Sequence, residues 1–498
     1  MKILISLITL IFGSILFFGP LLAEEEYGHT EFQASGSQEG HQLFLKGLLQ
    51  LHNFEYEDAR ETFLEVQGID PQFIMAYWGE ALTYEHPLWS QFDTEASRSA
   101  LAKLRPTPEQ RVATAPTERE KAYLRSVNIL FGEGSQEERE IAYSSALEEI
   151  YRQYPDDIDA AALHALSLLT ISHGGRDFSL YMKAGAITEE ILDRNPRHPG
   201  ALHYSIHSFD DPVHAPLGLR AADAYAVVAP SAVHALHMGS HIYFALGMWE
   251  KGSERNARSF EEAMARRSGQ DDPIPRQGYH ALTWLIYSLT QEGKRGEARE
   301  KLAIIEDQVE RFGSSQHRQN FISARASYVI DTQELSGHFA QVEVDYEGLA
   351  PFFVATDQYV RGIVALHRAD MEAALQALAD IGGEETVQSR ERRAITPRLL
   401  RMSLQAQIEM IEGNTDQALV LLEGAAELED GLSPDYGPAI PVQPSAELLA
   451  DTYLALGDPE LAARNYERAL AGFVGRERSL LGLSKAQAGQ GFAQLQTH

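Results

Sequence analysis

Two histidine pairs have four-residue spacing, His203 with His207 and His237 with His241, and the second pair repeats the first at one fixed interval, His203 to His237 and His207 to His241. They belong to two short stretches, "HYSIHSFDDPVHAP" at 203–216 and "HALHMGSHIYF" at 234–244, which hold six of the chain's 18 histidines. Imidazoles four apart on a helix have Cβ atoms about 5–6 Å apart, so each pair can chelate an ion at about 2.0–2.1 Å per nitrogen. The chain has no cysteine, which restricts metal ligands to nitrogen and oxygen. Four neutral imidazoles, with His234 or Asp210 as a fifth ligand, suit Zn²⁺, Cu²⁺, Ni²⁺ or non-haem Fe²⁺. Three protein ligands and an open position would support Lewis-acid hydrolysis or oxygen chemistry. Two other readings of these residues stay open. The rings can hydrogen-bond a peptide, protein or small ligand without any metal, or they can be ordinary packing residues at helix boundaries.

The elements that must position these side chains are helices. Pro196 and Pro230 are separated by the same interval as the histidine pairs, each just after a helix, which predicts one hairpin starting with a helix over 199–210 and the next starting near Ser231. Leu202, Ile206 and Phe209 have core-facing spacing. His203, His207 and Asp210 form a second stripe rotated by about 100°. Ser240, between His237 and His241, points away from their stripe, and His214 sits in a turn rich in Asp and Pro. No nucleophile elbow, phosphate-cradling glycine loop or HEXXH zinc-protease helix occurs, so no reaction is assigned.

Helical patterning runs from about residue 40 to the C-terminus, and one unit is especially legible: "AELLADTYLALGDPELAARNYERALAGF". Leu449, Ala450 and Tyr453 share a face, Gly457-Asp458 makes the turn, and Ala462, Tyr466 and Ala469 follow. This resembles the tetratricopeptide repeat (TPR), a helix-turn-helix of about 34 residues, and the interval between the histidine pairs is that repeat length. The skeleton returns around Ala59 and Phe63, around Gly293, Ala298 and Leu302, and around Gly413, Ala418 and Leu422. The resemblance implies an all-α superhelical solenoid of about nine or ten helical hairpins. One array is expected over 40–267 and another, continuous with it, over 268–498, with irregular stretches at 86–120 and 433–444. It also implies that the second, fifth and ninth residues of each first helix line a concave groove. His41, His234 and His280 take the second place, His203 and His237 the fifth, and His207 and His241 the ninth. On this register Trp78, in "MAYWGEALTYEHPLW", faces the groove as an aromatic wall, with core packing as the competing reading.

The longer run from "HPGALHYSIH" to "HALHMGSHIYFALGMW", with the Trp78 stretch before it and "GPAIPVQPSAELLADTYLALG" after it, is similar to a group of secreted bacterial TPR proteins. That likeness implies a solenoid over nearly the whole mature chain and no settled activity. It leads to the expectation of an extracytoplasmic scaffold binding a peptide, protein or small ligand in a groove lined by His203, His207, His234, His237, His241, His280, Asp210 and Trp78. The alternative is a metal-binding protein or metal-dependent enzyme built on His203, His207, His237 and His241.

Charge and address agree with this. Residues 1–23 have Lys2, an apolar run from Ile3 to Phe18, a Gly19-Pro20 break and Ala23, which reads as a secretory signal peptide, an uncleaved anchor being the alternative. A flexible lead is expected over 24–39. No later segment approaches the run of about 20 apolar residues that a membrane span needs, so a periplasmic or secreted chain is expected. A net charge of −30 over 498 residues disfavours nucleic acid, whose phosphates need basic patches.

Overall fold

The computed structural model describes residues 26–496 apart from 90, 174, 268, 270 and 383–390. The expected signal peptide lies outside the described residues. Among the described residues, α-helices succeed one another from Gln38–His52 to Glu477–Gln496, joined by short turns, and each packs mainly on its neighbours in sequence. The chain is an all-α solenoid of stacked helical hairpins. The proline-rich stretch contributes the short helices Thr94–Leu104 and Pro108–Thr114. Ahead of them, the paired strands Glu85–His86 and Gln91–Phe92 flank a 3₁₀ turn at Pro87–Trp89. No described helix is long and apolar enough to cross a membrane.

Local chemistry accounts for the helix ends. Ser37, Asp157 and Asp177 cap the helices that follow them by accepting hydrogen bonds from first-turn backbone N–H groups. The turn after Ser445–Ala455 needs Gly457, whose φ of +83° is one that side-chain-bearing residues rarely adopt. Close approach fixes another position. A Cβ on Gly185 would lie 2.4 Å from Phe209 Cζ, so only glycine lets the Phe178–Arg194 helix seat the end of Pro199–Phe209.

The apolar interior runs along the coil as one large cluster from Tyr27 to Tyr243 and another from Phe260 to Val442. Between them lies a smaller aromatic cluster that includes Phe244, Trp284 and Tyr287. Helices Trp249–Ala265 and Arg276–Gln291 pack directly on one another. The coil also closes on itself. Trp249 Nε1–H donates to Gly475 O at 2.8 Å, and fully buried Arg476 bonds Asp331 and Glu447. Trp249, just after the Gly247 turn, thereby ties that turn to the C-terminal end.

The lead corrects an expectation. Residues 26–37 form a strap with Tyr27 and Phe32 buried. Thr30 Oγ1–H donates to Asp159 at 2.6 Å, Asn53 Nδ2–H to Tyr27 O at 2.9 Å, and Ser35 N–H to Glu120 at 2.7 Å. Its two aromatic side chains seal hairpins whose apolar faces would otherwise meet water.

Candidate functional site

The helices Pro199–Phe209 and Val233–Ala245 carry most of the imidazoles and are buried along nearly their whole length. Leu202, Ile206 and Phe209 face the core as their spacing predicts. His198 caps the first of these helices, its Nδ1 accepting from Ala201 N–H at 3.1 Å, with Pro199 at the first helical position.

The structure gathers six imidazoles into two adjacent triads. His203, His207 and His234 form one, and His237, His241 and His280 the other, with ligand nitrogens within 4.8 Å of one another in each. This differs from the four-histidine set expected from the repeat. His207 meets its equivalent His241, ring centroids 5.2 Å apart, but His203 meets His234 instead of its equivalent His237, at 4.8 Å. Helices crossing at an angle produce this drift of about one turn along their contact. His280 joins from Arg276–Gln291, its ring 4.4 Å from that of His237.

The tautomers follow from the outer partners. Asn256 donates its amide N–H to Gly252 O at 2.8 Å, which turns Oδ1 toward His237 and makes His237 Nδ1–H the donor at 2.6 Å. Asp210 Oδ2 accepts from His241 Nδ1–H at 3.0 Å and from His207 Nδ1–H at 3.3 Å. His203 Nδ1–H donates to His52 O at 2.9 Å. The Nε2 lone pairs of all four rings are thereby turned inward. Those of His237 and His241 meet at 3.1 Å, that of His207 has no hydrogen-bond partner among the described residues, and that of His203 lies 3.0 Å from His234 Nε2.

Protonation does not relieve the close pair at neutral pH. Burial, with neighbouring imidazoles adding to it, holds His203, His234 and His237 well below the ordinary histidine value, and burial pulls His241 down to about 4. Nitrogens bound tetrahedrally at about 2.0–2.1 Å stand about 3.3–3.4 Å apart, close to the observed separations.

Asp210 is fully buried, and burial alone would raise its pKa. The Arg176 guanidinium, with hydrogen bonds from His207 and His241, outweighs that and keeps the carboxylate ionised. Asp210, weighed earlier as a fifth ligand, thus sits behind the imidazoles and orients them, as carboxylates behind metal-ligating histidines do. Asp211 pairs with Arg176 at 3.3 Å and with His214 at 2.9 Å, leaving His214 outside both triads. Ser240 donates its hydroxyl to His237 O at 2.7 Å.

Only part of the cluster lines a groove. A cleft of about 610 Å³ has His234, His237 and His280 in its wall beside Trp89, Trp284 and Tyr436. His203, His207 and His241, expected at its surface, stand behind it. Trp284 and Tyr436 both pack on the His241 ring, at 4.7 and 4.6 Å, and Phe54 covers His203 at 4.3 Å. His280 is exposed to the cleft, and desolvation by the surrounding wall, then the neighbouring His241 and the charges of Arg276 and Arg393, hold it below the ordinary histidine value. Trp78 is a further correction. It is 0 % exposed and packs on Phe32 and Tyr123, because the strap closes over the face that the register assigned to the groove. His41 is half-buried and bonds Phe32 O at 3.0 Å, apart from both triads.

A second buried group escaped the sequence reading. Asp159 accepts from His52 Nε2–H at 3.1 Å, His198 Nε2–H at 3.3 Å and Thr30, while His52 Nδ1 accepts from Tyr204 O–H at 2.9 Å. Every ring nitrogen there has a protein partner, so the group is a closed structural network. His198 was detectable as a cap before proline. Asp159, Arg176, Asn256, Phe54 and Tyr436 carry no local sign of their role.

No family model matches the chain, and no curated protein matches it. Solved structures similar to it include Cut9 in the APC/C hetero-tetramer Cut9-Hcn1, at 16% identity and TM-score 0.37 over 92% of this chain and 78% of that one. The human IFIT1 dimer with m7Gppp-AAAA has 13% identity and TM-score 0.37 over 90% and 92%. Yeast Tom70 has 13% identity and TM-score 0.36 over 92% and 96%. At these values the likeness carries no functional argument, and the fold assignment rests on the helical hairpins themselves.

Proposed function

We propose that this chain binds a transition metal through its imidazole triads and presents it to a ligand in the adjoining cleft. The observation that carries the reading is the pair of neutral, inward-facing lone pairs of His237 and His241 at 3.1 Å, with Asn256 and Asp210 holding both opposite N–H groups outward. Two acceptors so placed in a buried site repel one another unless a cation lies between them. The all-nitrogen donor set suits Zn²⁺, Cu²⁺, Ni²⁺ or Fe²⁺. His280 opens the second triad to the cleft, so an ion held there would have a coordination position for a ligand or for water, the arrangement on which metal-assisted hydrolysis and oxygen chemistry depend.

The test is elemental analysis of tag-free full-length protein, paired with thermal melting before and after chelation. Near-stoichiometric metal is expected, lost when His203 and His237 are both replaced by alanine. An ion at 100 times its Kd adds about 2.7 kcal/mol to stability, so chelation should lower Tm measurably. Metal-free protein with an unchanged melt would refute the reading. It would leave the scaffold function, which the size of the cleft favours, with a peptide, protein or small molecule as ligand. An extracytoplasmic address belongs to the same proposal. N-terminal sequencing of exported protein should find the cut after Ala23, Met1 retained would favour the uncleaved anchor, and protein found only inside the cell would overturn the address.

A further inference from the structure

We propose that the cleft selects an organic acid of small-molecule size, whose carboxylate Arg276 and Arg393 receive beside His280. The inference deepens the metal-site reading and rests on it for the ligand's place, but its observations are separate. In a chain with 72 acidic against 42 basic residues, Asp435 is the one acidic residue among those lining the cleft, whereas two arginines line it. Among the described residues, neither guanidinium has a carboxylate partner within ion-pair distance. Arg276 lies over the Trp89 ring at 5.1 Å and donates to the neutral Gln91 side chain. Arg393 lies over the Phe352 ring at 5.4 Å. Both side chains are exposed to the cleft, and the charge of both acts on His280.

Guanidiniums resting on aromatic faces keep their N–H edges free for an incoming anion, and the fork they present matches a carboxylate. The facing wall is uncharged. Gln316, Gln319, Asn320, Ser323 and Ser327 form a stripe along the Ser315–Thr332 helix, offering amide and hydroxyl groups. A cleft of about 610 Å³ suits a small molecule. Its lining therefore asks for an anionic end, a planar or apolar part against Trp284 and Tyr436, and polar groups toward the amide stripe.

The experiment uses full-length protein with benzoate and its neutral isostere benzamide as probes, read by tryptophan emission because Trp89 and Trp284 line the cleft. Each titration is run on chelator-treated and on zinc-loaded protein. Benzoate should bind chelator-treated protein at least tenfold more tightly than benzamide does. Arg276→Gln and Arg393→Gln should each weaken benzoate about tenfold, the range for hydrogen bonds to charged groups, and leave benzamide unchanged as the check on folding. Equal binding of the two probes, no binding of either, or benzoate affinity indifferent to both substitutions would overturn the inference. A carboxylate preference seen only with zinc would also overturn it, since the ion would then be the receptor and the metal reading would stand. Arginine-dependent preference in protein that takes up no metal would support this inference and refute the metal reading.

Discussion

Asp210→Asn is the sharpest perturbation of the site, because it removes a charge while keeping the shape. The wild-type carboxylate has one oxygen facing Arg176 and the other accepting from His207 and His241 at 3.3 and 3.0 Å. Asparagine offers one oxygen and one NH₂ group. With its oxygen toward the imidazoles, its NH₂ confronts the Arg176 guanidinium, donor against donor. With its oxygen toward Arg176, its NH₂ faces both Nδ1 atoms, which must then become acceptors. Each ring moves its proton to Nε2, and two inward lone pairs are lost. Substitution of such outer partners typically weakens metal binding 10–100-fold, or about 1.4–2.7 kcal/mol. Competition for Zn²⁺ with a chromophoric chelator at pH 7.5 measures the change. An affinity within twofold of wild type would show that these rings do not hold the ion.

Three further outcomes follow from the same geometry. His241 is held near pH 4 in the folded state against 6.5 for a free ring, so between those values the unfolded chain binds a proton that the folded chain refuses. Stability is complete above pH 6.5 and falls as pH drops toward 4. Urea melts should show lower stability at pH 5.5 than at neutral pH, His241 contributing about 1 kcal/mol and His203, His234 and His237 acting in the same direction, and a flat profile would contradict the neutral cluster. Arg476→Met strands buried Asp331 and Glu447 and should cost about 3–5 kcal/mol in the same assay. Phe54→Ala, which removes a fully packed ring from the back of His203 and His234, should cost about 3–5 kcal/mol and increase chelator access to the ion, read as a faster loss of metal.

The solenoid was legible because each hairpin repeats the same large and small residues at the same offsets, as around Gly457 and Ala462. The imidazole stripe was legible because His203, His207, His237 and His241 recur at the repeat length. That spacing alone could not show which rings meet, since the crossing of two helices substitutes His234 for His237 as the partner of His203. Nor could it show which rings reach the cleft, because Phe54 and Tyr436, which shut off the others, lie far away in the chain. Trp78 was misplaced for the same reason, its cover coming from Phe32 in a lead that reads as a polar tail. Tyr27 and Phe32, apolar side chains in that tail, were the available hint.

The wall formed by Tyr436 has a bearing on biosynthesis. A nascent chain whose synthesis has reached Gln291 already carries all six imidazoles but has not yet made the aromatic ring that stacks on His241 at 4.6 Å. Until the second half has been translated and wound back, any ion there is open to exchange with whatever metals the surrounding fluid contains. If the triads hold a metal, its secure retention would be deferred to the end of assembly, and the compartment in which the last hairpins fold would decide which element is kept.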